Sequence, residues 1–317
     1  MSKAFKTDAA KRLIPLMKKL RKIEEDIYAL VIKSIGNAQM GAAYWNAQKV
    51  VLNNLYREMN LVFKDWATKE IPKRYKRSMS LIKKRIDASV FITNVGKKGL
   101  TELLRTNAST QIVRGLVDSS VESFLSSSIA GRQNLKNLFI TTQQTLVNES
   151  MVNVAVATGF EMGDLREAKT LLKSLFETPT WEAIEKKQFV QAGKYRYRPH
   201  YYAEMVARTK FHQAHSQAAL MQSANHGTDL VEISTHNTTT RICMPFEGKI
   251  FSVKGGSLKF PPLIDSPPYH PNCLHLMYPT FESAMEVQGT LKEFSEFSLG
   301  KVARPPIPKS FIPIGAR

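Results

Sequence analysis

The sequence predicts a mainly α fold: a long helical N-terminal region with a coiled-coil-like hairpin and further helices, then a small C-terminal α+β domain and an extended proline-rich tail. Three observations predict it. Apolar residues step by three and four from Leu13 to Leu30, the seam of packed helices. All seven histidines and both cysteines fall between His200 and His275, among short β-type runs and paired prolines. The last residues carry Pro305, Pro306, Pro308 and Pro313, and such termini dock on a partner or dangle more often than they build a core. The expected division is residues 1–178 as a basic helical region, 179–281 as the small α+β domain and 282–317 as the tail.

The first helix is expected to begin near Pro15, where a first-turn proline is tolerated, and to bury Leu13, Leu16, Leu20, Ile23, Ile27 and Leu30. Lys18, Lys19, Arg21, Lys22, Glu24 and Glu25 fill its outer positions. The seam meets polar Ser34, so a helical hairpin is expected rather than a long coiled coil. Gly36-Asn37 supplies the stop. A second helix should run from Ala42 to Trp66, burying Val51, Leu55, Met59, Val62 and Trp66, and end before Ile71-Pro72, since the residue before proline avoids the helical region. Antiparallel packing of the two follows from the short connection. Ile112 to Phe124 and Leu135 to Leu146 mark two further helices, with Ser126-Ser127-Ser128 and Gly131 as a turn between them. Helical pattern continues to about Phe176, and Thr180 caps a short helix through Ile184. Alternation over Lys194–Arg198 predicts a short strand or extended arm. A helix from about Tyr201 to His226 should turn Met205, Ala214, Ala218 and Met221 inward and stop at Gly227. Leu230–Ser234 and Ile250–Val253 read as strands.

Charge narrows the function classes. The net charge is +18, and from Lys3 to Arg85 there are 20 Lys and Arg against 7 Asp and Glu. The densest part holds Lys73, Arg74, Lys76, Arg77, Lys83, Lys84 and Arg85 with no acid between. Double-stranded DNA is the expected counterpart, bound through phosphates. No recognition motif or stacking signature accompanies the cations, so the contact should be non-specific and salt-sensitive; the alternative is a solvated basic helix face. No apolar run reaches the ~18 residues of a membrane span, and the start lacks the apolar core of a secretory signal. Two cysteines do not make a disulfide scaffold, and a reducing compartment is expected.

Two stretches belong together. One is Ala207-Arg208-Thr209-Lys210, on a helix ending at Asn225-His226-Gly227 before Thr228–Ser234. The other runs from Thr240-Arg241-Ile242-Cys243-Met244-Pro245-Phe246-Glu247-Gly248-Lys249 to Pro267-Pro268-Tyr269-His270-Pro271-Asn272-Cys273-Leu274-His275. Over about residues 195–280 the chain resembles the phage Mu F-like head morphogenesis family and its minor capsid protein relatives. Their shared pattern is an Arg-Thr-Glu helix, a strand, a Cys and Gly-Lys hairpin, and Pro-Pro-x-His-Pro-Asn-Cys-Arg-Cys. Lys210 stands where the family usually has Glu, and Leu274-His275 replaces Arg-Cys.

Cys243, His270, Cys273 and His275 offer two sulfurs and two imidazoles, a set that structural zinc accepts, with His236 as a substitute for His275. The plainer reading makes Cys243 a small buried hydrophobe, has His270 hydrogen-bond backbone, and makes Pro-Asn a turn. His212 and His215, three apart on one helix face, read as surface or core histidines. No catalytic residue is assigned. The deaminase signature is absent, Gly255-Gly256-Ser257 lacks the rest of a phosphate loop, and a Cys243–His270 nucleophile pair requires adjacency in space. The resemblance implies a minor head protein of a tailed bacteriophage, not an enzyme. It would act in head assembly inside the virion near the portal, after assembly in the host cytoplasm. Its partners would be the portal or major capsid protein and the packaged DNA, with which it could be ejected. The alternative is a virion-carried metal-dependent nuclease using residues such as His236 and Asp265.

Overall fold

The computed structural model describes residues 2–37, 40–87, 98–148, 178–271 and 273–281; the expected tail and the end of the helical pattern before Phe176 lie outside them. Helices dominate these residues: α1 (Ser2–Gly36), α2 (Ala42–Asp87), α3 (Leu100–Leu104), α4 (Asn107–Asn148), α5 (Thr178–Glu185) and α6 (Pro199–His226). The strands are β1 (Val190–Ala192), β2 (Tyr195–Tyr197), β3 (Leu230–Ile233), β4 (Ile250–Ser252) and β5 (Met277–Thr280). A mainly α chain with a small strand-bearing region is thus what forms.

The chain divides into two compact units, neither of them continuous in sequence. The hairpin unit takes residues 12–66 and 121–204, and the sheet unit takes 1–11, 67–120 and 205–317. Residue 178, the expected boundary, lies within the 121–204 stretch of the hairpin unit. α1, α2, α4 and α6 each continue from one unit into the other.

Two expected breaks are therefore absent. α2 runs through Pro72 to Asp87. Proline costs a helix one hydrogen bond, but the apolar stripe of Ile71, Tyr75, Met79, Ile82 and Ile86 stays buried beyond it, and that burial outweighs the loss. α1 likewise starts at Ser2 and contains Pro15. The Ser126–Ser128 stretch lies inside α4. Its hydroxyls bond back to the preceding turn, Ser126 to Ser123 O at 3.2 Å and Ser128 to Leu125 O at 2.8 Å, so serine here continues the helix. Gly131 serves close approach, not a turn. A β-carbon there would lie 1.9 Å from Phe189 O.

In the hairpin unit, the α1 seam buries all six expected residues and continues through Val31 and Ile35. Ser34 does not interrupt it, because its buried hydroxyl donates to Leu30 O at 2.7 Å. Trp66 Nε1 donates to Arg12 O at 3.1 Å and the Tyr44 hydroxyl reaches Lys33 O at 3.5 Å. Early α1 thus meets late residues of this part of α2, as an antiparallel hairpin requires. The buried stripe of α2 is Leu52, Tyr56, Met59, Phe63 and Trp66: Met59 and Trp66 are buried as expected, while Leu52, Tyr56 and Phe63 replace Val51, Leu55 and Val62 one position on, with Val51 43% exposed. Aromatic anchors set the rotation. Phe63 stacks on Phe124 of α4 at 4.2 Å, and the Tyr56 hydroxyl donates to Phe189 O at 2.6 Å. β1 and β2 pair antiparallel around Gly193, which realises the arm expected at 194–198 as a hairpin strand. α5 starts two residues before the expected Thr180 cap. Glu24, expected on the outer face, is fully buried. Arg198 meets its carboxylate at 2.6 Å and His200 Nδ1 at 2.6 Å, which offsets the cost of burying the charge.

In the sheet unit, α6 ends at His226 and Gly227 takes φ +70°, as expected. Ala214 and Ala218 are buried, whereas Met205 and Met221 are only half-buried. The inward face also carries His212, His215, Ser216 and Gln222. The three-stranded sheet has β3 in the centre, antiparallel to β4 and β5. β3 and β4 match the expected strands. β5 was not expected, because Pro279 interrupts its short run; it lies on the edge, where a missing N–H is tolerated. On the other side, Ser252 of β4 bridges Pro262, with Ser252 N donating to Pro261 O and Leu263 N to Ser252 O.

Candidate functional site

The motif residues of the sheet unit meet around the turn after the cis Pro267-Pro268 bond. A hydrogen bond from Cys273 N to His270 O at 3.1 Å closes the His270–Cys273 turn; Asn272, expected to shape it, lies outside the described residues. The chain before the Met244–Phe246 3-10 turn brings Cys243 up to it, so that Cys243 Sγ lies 3.4 Å from His270 Nε2. Across the turn, Cys273 Sγ lies 3.5 Å from His275 Nδ1. Residues 27 and 2 positions apart in sequence thereby form two thiol–imidazole pairs.

Behind the imidazoles, the outer nitrogen of His270 is hydrogen-bonded, whereas that of His275 faces a carboxylate without a hydrogen bond. His270 Nδ1 donates to Pro271 O at 2.8 Å, which leaves Nε2 as the acceptor facing Cys243. His275 Nε2 lies 3.5 Å from Glu247 Oε1. Glu247 is the anchor of this region. Its carboxylate accepts the backbone N–H of His236 and, at 2.9 Å, that of Thr238. Burial alone would raise its pKa, but those two N–H groups and His275 hold it below the usual carboxylate value. Glu247 stood inside the quoted motif without a role; a carboxylate three residues before the strand was the available signal. His236 is edge-on to His275 at 5.1 Å, and its Nε2 lies 2.9 Å from the Ser234 hydroxyl.

A tetrahedral zinc with S at about 2.3 Å and N at about 2.0–2.1 Å sets neighbouring S and N donors about 3.5 Å apart. Each pair matches that spacing, and His270, held from behind by the Pro271 carbonyl, resembles an oriented ligand. Yet among the described residues no group of three or more His, Cys, Asp or Glu is placed to hold a metal ion. The four residues expected as one set stand as two Cys–His pairs. Cys243 and His270 have the adjacency a nucleophile pair requires, but Cys243 is not activated. Burial pushes its thiol pKa up, and Cys273 and Glu247 push it further, the reverse of the shift that activates a cysteine.

The imidazoles of α6 lie in the core. Burial, with Arg74 nearby, lowers the pKa of His212 to about 4 and that of His215 to about 3. Both are neutral at neutral pH, His215 with its ring against Tyr278 at 5.2 Å.

The basic segment of α2 separates into two populations. Lys73, Lys76, Arg77 and Lys84 are exposed, and Lys83 is half-exposed. Lys73 pairs with Glu70 and Lys83 with Asp87, each within one turn of helix. Arg74 is 1% exposed, with its guanidinium 5.7 Å from the Phe211 ring centroid, so it cannot meet a phosphate from the folded surface. Arg85 is half-buried, 4.0 Å over the Tyr278 ring and 3.1 Å from Glu232; it ties α2 to the sheet. Lys210 donates to the Ser119 hydroxyl at 2.8 Å.

Compared with known proteins, the chain matches the sequence profile of the family described as phage minor capsid protein 2 over residues 11–293. The match covers both units and reaches well beyond the Cys–His motif. No curated protein and no solved structure matches the chain.

Proposed function

The chain belongs to the phage minor capsid protein 2 family, and on that premise we propose that it is a structural component of a tailed-phage head, acting in head assembly near the portal. The observation that carries this is the extent of the match, which takes in the basic helices as well as the Cys–His module. In this reading the two Cys–His pairs and Glu247 brace the loops beside β3 and β4, so the sheet unit presents a fixed surface to a portal or major capsid subunit. The exposed cations Lys73, Lys76, Arg77 and Lys84 face packaged DNA and bind it without sequence preference, through counterion release. Among the described residues no helix is long and apolar enough to cross a membrane. A structural role also suits the buried, unactivated Cys243.

Mass spectrometry of purified particles tests the role. The chain should be present at low copy relative to the major capsid protein, and particles lacking it should fail to mature. Its absence from infectious particles would overturn the proposal.

A further inference from the structure

The hairpin unit has a cavity of about 640 Å³ between α2 and α4, remote in sequence from the Cys–His module. Ser128 Oγ lies 2.7 Å from Asn60 Oδ1, Phe63 stacks on Phe124, and Trp45 meets Phe139 at 5.5 Å. These contacts show the two helices antiparallel along this stretch. The walls repeat at helical spacing: Asn54, Arg57, Leu61 and Lys64 on α2, and Leu125, Ile129, Arg132 and Lys136 on α4. Leu61 is 56% exposed, Ile129 44% and Leu125 39%. Branched aliphatics so clustered and wet mark an interaction surface better than scattered exposed residues do.

We propose that this groove seats an amphipathic helix from another protein, with leucine-type residues on its inner face and acids along both flanks. Ridges at three-and-four spacing on two antiparallel helices form the surface into which a third helix packs. The charge selects the occupant. Arg57, Lys64, Arg132 and Lys136 line the groove, and no acid does. A second copy of this chain docking through the same groove would bring cation against cation. Nucleic acid would satisfy the cations but lay phosphates over Leu61 and Ile129, and the two aromatic rings of the lining, Phe63 and Phe124, are buried against each other rather than offered to bases. The proposal stands apart from the virion role, since it rests on the groove alone.

The test uses the full chain and synthetic helical peptides of three heptads with Leu at a and d, followed by fluorescence anisotropy. One peptide has Glu at e and g, a second has Lys there, and a third keeps Glu but has Ser in place of Leu; a DNA duplex serves as competitor. The Glu–Leu peptide should bind at least about tenfold more tightly than either control. Leu61→Asp with Ile129→Asp should abolish binding, and Arg57→Glu with Lys136→Glu should transfer the preference to the Lys peptide. All four positions lie on the groove wall, and circular dichroism checks that the variants fold; should one fail to, the three-peptide ranking on the unaltered chain still decides. Equal binding of the Glu and Lys peptides, no binding of any peptide, or displacement of the Glu–Leu peptide by duplex DNA would each overturn the proposal.

Discussion

Replacing Gly131 by alanine pits helix propensity against packing, and the structure says which one wins. In a helix interior Gly→Ala gains about 1 kcal/mol. At Gly131, however, the new β-carbon would lie 1.9 Å from Phe189 O, 2.7 Å from Phe189 C and 3.0 Å from Val190 Cα. These are backbone atoms at the start of β1, and ordinary contact begins near 3.4 Å, so the carbonyl must retreat by about 1.5 Å. That carbonyl accepts the buried Tyr56 hydroxyl at 2.6 Å, and the retreat breaks the bond. A buried hydroxyl left without a partner costs about 1–3 kcal/mol, and forcing packed backbone apart costs about 1–3 kcal/mol more. Set against the propensity gain, the net loss should be about 1–5 kcal/mol. Gly115 of the same helix is the control, since a β-carbon there meets nothing within 4 Å; Gly115→Ala should gain about 0.5–1 kcal/mol. Urea titrations followed by far-ultraviolet circular dichroism read both. If the two substitutions move the midpoint in the same direction, the assigned approach of Phe189 to α4 is wrong.

The remaining expectations are quickly stated. His215, its pKa lowered to about 3 from the usual 6.5, binds fewer protons folded than unfolded between those values, so its contribution is present above about pH 6.5 and is lost as pH falls toward 3; His215→Phe should flatten the acid limb of a stability–pH profile, and an unchanged limb would remove His215 from the core. Arg74→Met should lower the thermal midpoint while leaving the salt dependence of DNA binding intact, whereas changing Lys76, Arg77 and Lys84 together to Gln should flatten that dependence by about 2–3 in log–log slope; the opposite pattern would invert their assigned places. Glu24→Leu strands Arg198 and His200 and should destabilise by about 3 kcal/mol, read by chemical denaturation, and a neutral result would deny the buried ion group a structural part. Elemental analysis after dialysis should find well below one zinc per chain, with unfolding unaffected by a chelator; one tightly held zinc would mean that the two Cys–His pairs close into a single centre.

Much of this could be read from residue order, because local periodicity and the burial it produces coincide. The α1 seam is regular enough to survive Ser34, whose hydroxyl finds its acceptor one turn back. β3 and β4 are short apolar runs next to glycine turns, and donor chemistry grouped Cys243 with His270, although only the fold brings them together across 27 positions. What escaped depends on partners far away in sequence. The rotation of α2 is set by Phe124 and Phe189, 61 and 133 positions beyond Phe63 and Tyr56 respectively. Glu24 and Arg74 look like outer charges until Arg198 and His200, or Phe211, are brought beside them. Pro72 and the serine triplet carry breaker signals that tertiary burial overrides, and Gly131 reads as a turn only while its neighbour Phe189 is unseen.

The small sheet also constrains how the molecule can be used. Its outer strand β4 is already joined by the Pro261–Leu263 segment, and β5 carries Pro279, which has no amide hydrogen to offer a newcomer. Neither border is a ready template for an added strand. Where many polypeptides crowd at high concentration, that guards against runaway β-aggregation, and it leaves helix faces and side chains as the means by which neighbours take hold.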